Sequence, residues 1–185
     1  FPTRRSSDLG EYALTENEGW KVGVLVDEAH NLVDRARAMY SAPMAQSLLQ
    51  QARQSSEGGV RRSLDKLHTV WNALNRSLSQ PYQLLEAPPQ EWLEKLNTCI
   101  TRIAEAQDDA PLPGSHPLLE FYLAALQFTA LVDQFGAHAL IDVQLHPAFR
   151  GKQLSTISLR NVIPAHHLQV RHAAAQASVL FSGTL

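Results

Sequence analysis

Val22-Gly23-Val24-Leu25-Val26-Asp27-Glu28-Ala29-His30-Asn31-Leu32 is the stretch that decides the fold. Its first five residues include three β-branched valines and no polar side chain, which predicts a short strand buried on both faces, as in a parallel sheet. Asp27-Glu28-Ala29-His30 follows without a break, and Leu32, Ala36, Met39 and Tyr40 then recur at helical spacing. In open α/β sheets ligands bind in the crevice at the carboxyl ends of the strands, which is where this acidic pair sits. Adjacent residues leaving a strand point in different directions. One carboxylate can therefore hold a metal ion through water while its neighbour reaches a reacting water. Phosphoryl transfer to water needs this division, because Mg2+ spreads the charge of the leaving phosphate and a carboxylate orients the nucleophile. A surface turn that merely spells Asp-Glu-Ala-His is the weaker explanation, given the β-branched strand before it and the amphipathic helix after it.

A second strand of the same kind is expected at Ala177 to Phe181, ending on Ser182-Gly183-Thr184. From His30 to Ser182 there are 152 positions. A plain βαβ crossover needs roughly 30 residues, so about 120 are surplus, the size of an inserted domain.

Outward from the two strands, the interval is mostly helical. Ser41 and Pro43 predict a helix to about Ser56, with serine as cap and proline in the first turn. Gly58-Gly59 breaks it. Val60, Leu64, Leu67, Trp71, Leu74 and Leu78 form the cleanest apolar stripe of the chain. Pro81 ends that helix, and Pro88-Pro89 opens another carrying Trp92, Leu96, Cys99 and Ile103 to about Gln107. A loop rich in proline and glycine leads to a long apolar helix from Pro117 to Phe135, stopped by Gly136. The period then changes to two: Ile141, Val143 and Leu145, with Leu154 to Leu159, predict a hairpin with its tip at His146–Gln153. A helix is expected over His166–Gln176.

The Val24–Leu32 stretch, Asn31 included, resembles the Walker-B or DEAH-box motif of XPD-like and DinG-like superfamily 2 ATP-dependent DNA helicases. Val179-Leu180-Phe181-Ser182-Gly183-Thr184-Leu185 resembles their motif III, Ser-Gly-Thr-Leu or Ser-Ala-Thr-Leu. The match is specific over about 20–42 and 160–185; between them it rests on position and helical character. The resemblance implies an α/β fragment of a RecA-like P-loop NTPase sheet with a large, mainly α-helical, arch-like insert. It divides the chain into 10–40 and 151–185 in the first RecA-like domain and 41–150 in the insert. It implies ATP-driven, 5′→3′ movement on single-stranded DNA or DNA junctions, with ATP and Mg2+ as cofactors. Asp27 would serve Mg2+–ATP through water, Glu28 would be the catalytic carboxylate, and His30, Ser182 and Thr184 would couple hydrolysis to DNA movement. It further implies a bacterial, cytoplasmic, nucleoid-associated protein. The DNA-binding residues stay unassigned, and the motifs report ATP use rather than the choice of DNA over RNA.

Three departures accompany the resemblance. No Gly-x-x-x-x-Gly-Lys-Ser/Thr loop is present to cradle phosphates. The iron–sulfur cysteines that the family places upstream are absent, so a cluster is an expectation only for a longer parent. The second RecA-like domain, with its arginine finger, is missing. All three fit a fragment, inactive by itself. The alternative is a non-catalytic helical interaction module with a chance Asp-Glu-Ala-His. The first nine residues, Phe1 to Leu9, fit translated library adapter, since TTC CCT ACA CGA CGC TCT TCC GAT CT encodes them once the last codon is completed.

Composition narrows the partners. Of 185 residues 44 % are hydrophobic and 18 % charged, a globular balance. Sixteen Lys+Arg against eighteen Asp+Glu exclude a chain that grips nucleic acid over its whole surface. Asn31 to Arg150 holds 10 basic and 12 acidic residues, so the insert has no net pull on DNA. One cysteine, Cys99, excludes an internal disulfide or a four-thiolate cluster within the chain. The most apolar stretch, Leu118 to Val132, is interrupted by Glu120 and Gln127 and is shorter than the ~20 residues of a bilayer span. His166-His167 and His172 are expected on a polar helix face, Cys99, Trp71 and Trp92 in the core, and Arg61-Arg62 on a solvated face.

Overall fold

The computed structural model describes residues 21–109, 111–147 and 153–183. The adapter-like residues 1–9, Thr184 and most of the expected hairpin tip lie outside them. The chain forms two compact units: 21–36 together with 164–183, and 37–163.

In the smaller unit, strand β1 (Gly23–Val26) runs parallel to β6 (Ala177–Leu180), with Gly23 opposite Ala177 and Val26 opposite Leu180. A 3-10 turn at Ala29–Asn31 leads from β1 into helix α1 (Leu32–Met39), whose residues from Arg37 on are counted with the larger unit, and helix α6 (Ala165–Ala174) precedes β6. The two strands and their helical flanks arise where the apolar runs predict them. The burial expected on both faces does not: Leu25 is 72 % and Leu180 51 % exposed. Among the described residues the pair has no third strand, and two strands are too few to enclose their own side chains.

The larger unit is a four-stranded antiparallel sheet backed by helices. Strand β2 (Ala42–Ala45) is followed by helices α2 (Gln46–Gln54) and α3 (Gly58–Ser77), strand β3 (Tyr82–Leu85), helices α4 (Gln90–Asp109) and α5 (Pro117–Val132), and the hairpin β4 (Ala139–Leu145) and β5 (Ser155–Asn161). The strand order is β2-β5-β4-β3. The helical stripes and the inner sheet face meet in one core. Leu64, Leu67 and Trp71 come from α3, Trp92, Leu96 and Ile103 from α4, Phe121 and Phe128 from α5, and Met44, Ile141 and Ile157 from the sheet. Trp71 and Trp92 are core residues, their rings edge to face at 5.1 Å, and Trp92 meets Phe128 the same way at 5.3 Å. Cys99 is buried there too, and burial pushes its thiol up to about 11.

Polar side chains tie the helices to the sheet. Trp71 Nε1 donates to Ser155 Oγ (2.7 Å), Ser155 Oγ donates to Asn75 Oδ1 (2.7 Å), and the Ser155 N–H donates to Gln46 Oε1 (3.1 Å). On the other face of β4, Asp142 is fully buried and accepts from Arg160 Nε at 2.5 Å across the hairpin. That bond holds the Arg160 guanidinium above its usual pKa.

Three expectations change. The helix foreseen from Ser41 begins only at Gln46, because Ala42–Ala45 pairs with β5. Pro43 is tolerated there because β2 is an edge strand, while Ser41 Oγ donates to the Arg37 carbonyl and accepts the Asn161 N–H. Strand β3 was not foreseen; its four residues lie between Pro81 and Pro88-Pro89 and are too few to show a period. Helix α5 ends at Val132 rather than Phe135, the chain tightening as the Gln134 and Phe135 N–H groups bond carbonyls three residues back. The whole β4–β5 hairpin lies within the larger unit, whose last residue precedes Pro164.

Candidate functional site

The site is built at the carboxyl ends of β1 and β6. The ladder between them continues one step past the strands: the Phe181 N–H donates to the Val26 carbonyl (3.0 Å), and the Ala29 N–H donates to the Phe181 carbonyl (3.0 Å). These two bonds clamp the Asp27–Ala29 turn against the segment carrying Ser182. Glu28 sits inside the clamp with φ 54° and ψ 46°, the one non-glycine residue with positive φ among those described. A left-handed conformation costs a side-chain-bearing residue about 1–3 kcal/mol, and such strain concentrates at functional sites. Here it is held by the Asn31 N–H donating to the Glu28 carbonyl (2.9 Å) and the Glu28 N–H donating to Asp27 Oδ1 (2.8 Å).

The turn brings together four of the five residues singled out in the sequence. His30 Nδ1 lies 2.7 Å from Ser182 Oγ, a contact spanning 152 positions. Glu28 Oε2 lies 3.2 Å from His30 Nδ1 and 3.5 Å from Ser182 Oγ, which donates to it. In the tautomer with the proton on Nδ1, His30 donates to Ser182, whose hydroxyl donates in turn to Glu28 Oε2, so the three form one hydrogen-bonded chain. Asp27 is held beside them through the Glu28 N–H. Thr184 lies outside the described residues. The His30 and Glu28 side chains are 41 % and 49 % exposed, open to a ligand arriving from solvent.

Among the described residues no cluster of three or more His, Cys, Asp or Glu could enclose a metal ion by itself. One exposed carboxylate beside a second is nonetheless the donor set that Mg2+ uses when phosphates and waters supply the rest of its shell. Asp27 fits that role. The histidines of α6 are engaged otherwise: His166 and His167 meet edge to face at 5.2 Å, and His172 Nδ1 lies 2.9 Å from Ser178 Oγ. The backbone contribution of Phe181 was not foreseen. Only its position, one residue before Ser182 on an apolar run, could have suggested it.

An α/β protein with one parallel and one antiparallel sheet and, among the described residues, six α-helices is the class this fold defines. Within that class its fold is similar to that of XPD helicase structures. A solved structure described as XPD helicase matches over 96 % of this chain with a TM-score of 0.55 at 19 % identity. A second, described as XPD in its apo form, matches over 96 % with a TM-score of 0.52, again at 19 % identity. The chain spans only 30 % and 33 % of those two structures. No family model and no curated protein matches it. No described helix is long and apolar enough to cross a membrane.

Proposed function

We propose that this chain is the part of an ATP-dependent DNA helicase that runs from its Walker-B strand to its motif III strand. In this reading β1 and β6 belong to a RecA-like sheet, and the unit 37–163 is the arch-like insert between them. The observation that carries the reading is the 2.7 Å contact of His30 with Ser182 at the ends of adjacent parallel strands, with Glu28 in reach of both. A chance Asp-Glu-Ala-His in an interaction module gives no reason for Ser182, 152 positions away, to meet it. The XPD-like fold supports the same assignment.

Asp27 would hold Mg2+, which when bound would supply charge neutralisation at the phosphates of ATP. Glu28 orients the water that attacks the terminal phosphate, its backbone fixed by the clamp. His30 and Ser182 couple the site to strand movement: a change at Glu28 when the phosphate leaves alters their hydrogen bonds, and Ser182 passes the change into the segment after β6. Movement is 5′→3′ along single-stranded DNA.

The test uses the full-length protein. Its ATP turnover should rise on adding single-stranded DNA, and it should open a duplex carrying a 5′ tail but not one carrying only a 3′ tail. Turnover indifferent to nucleic acid would reject the helicase reading, and opening from the 3′ tail alone would reject the direction.

A further inference from the structure

The larger unit is electrically balanced: 37–163 carries eleven basic and eleven acidic residues. The charges are not spread evenly. A groove of about 340 Å³ between α3 and α4 is lined by Arg62, Lys66, Lys95 and Arg102, with Gly59 and Thr98 beside them. Arg62 and Lys66 are four apart on α3, and Lys95, Thr98 and Arg102 share one face of α4 at spacings of three and four, so each wall presents a row. From position 59 to 66, or 95 to 102, each row runs about 10 Å along its helix.

The nearby carboxylates do not cancel these charges. Asp65, the acid between Arg62 and Lys66 in sequence, accepts from Arg53 (2.6 Å) and Arg61 (3.1 Å) and is already neutralised by them. Burial opposes its charge, but the two guanidinium groups outweigh that and hold its carboxyl below the usual range. Among the described residues no carboxylate pairs with Arg62, Lys66 or Lys95. Arg102 pairs only with Glu105, at 2.8 Å, and with both side chains more than half exposed that bond is weak enough to exchange.

We propose that this groove binds the phosphate backbone of a single-stranded nucleic acid. Two short rows of cations facing one another suit an anion that repeats along a line. The rest of the lining is Gly59, Ser63 and Thr98, with no aromatic or large aliphatic side chain to seat the anchor of a protein partner, whereas a phosphate chain needs only charge and N–H or O–H donors. The groove deepens the helicase reading by giving the nucleic acid a second place on the chain, yet its test needs no nucleotide.

The experiment measures binding of a fluorescently labelled oligodeoxythymidylate to the full 185-residue chain without ATP, between 50 and 200 mM salt. Four cations on single-strand phosphates should make affinity fall about 50-fold over that range. A variant carrying R62Q, K66Q, K95Q and R102Q should lose about 2–3 units of the slope of log affinity against log salt and bind at least tenfold more weakly at 50 mM. Unchanged circular dichroism would show that it still folds, and R76Q, at the far end of α3, should match the parent chain. The binding is read without nucleotide, so a failure of the ATPase reading leaves the test of the groove intact. An unchanged salt slope in the fourfold variant would overturn the proposal. So would displacement of the oligonucleotide by polyglutamate as readily as by inorganic polyphosphate of equal charge, which would make the groove a site for an acidic protein.

Discussion

At the residue scale, the proposed chemistry falls on a few side chains whose backbone is held by several hydrogen bonds. Glu28 is held left-handed by its neighbours' hydrogen bonds, and its carboxylate shares His30 and Ser182. That Asp27, Glu28 and His30 share one turn after a strand, with Ser182 after another, was legible in the sequence because apolar β-branched runs and an acidic turn are local features. The left-handed turn was not, because a residue with a side chain seldom adopts it, and neither was the part played by the Phe181 backbone, which depends on the parallel partner strand. If Ser182 couples rather than catalyses, Ser182→Ala in the full-length protein should keep most of the ATP turnover and lose duplex unwinding. Paired turnover and helicase assays on one preparation check this. Equal loss of both activities would point to a folding defect, and no loss of either would remove Ser182 from the mechanism.

At the element scale, the long helices were legible because their apolar stripes repeat for four or five turns. The short strands were not. Ala42 and Met44 point inward and Pro43 outward, a period of two lasting only four residues, behind a Ser-x-Pro pattern that also starts helices. Tyr82–Leu85 is equally short, and its pairing with β4 is set by tertiary contact. The β4–β5 hairpin makes the clearest element-level prediction. Asp142 is fully buried, and its Oδ1 has no hydrogen-bond partner, so Arg160 is its main compensation. Arg160→Ala should cost about 1–3 kcal/mol, below the ~3–5 kcal/mol of a wholly enclosed pair because Arg160 is half-exposed. Asp142→Asn should cost less, since it removes the buried charge itself. Urea unfolding of both variants decides it; an Arg160→Ala loss within 0.5 kcal/mol, about the scatter of ordinary surface substitutions, would show that water already satisfies the carboxylate.

At the scale of the whole molecule, the chain is two units with different burdens. The larger holds a continuous core in which Trp71 both packs on Trp92 and donates to Ser155. Trp71→Ala should destabilise that unit by ~3–5 kcal/mol, read as a drop in its cooperative unfolding midpoint by circular dichroism at the helix band. A small change would mean that the ring is dispensable to the core. The smaller unit carries the candidate chemistry on a pair of strands whose outer side chains are exposed. The most direct measurement of the central claim is ATP turnover of the full-length protein with Glu28→Gln. The account predicts that Mg2+–ATP still binds with near-parental affinity while turnover falls 10²-fold or more, because the amide keeps the shape of the turn but no longer activates the water. A variant that keeps more than about a tenth of parental turnover would contradict it, and Glu28 would not be the catalytic carboxylate.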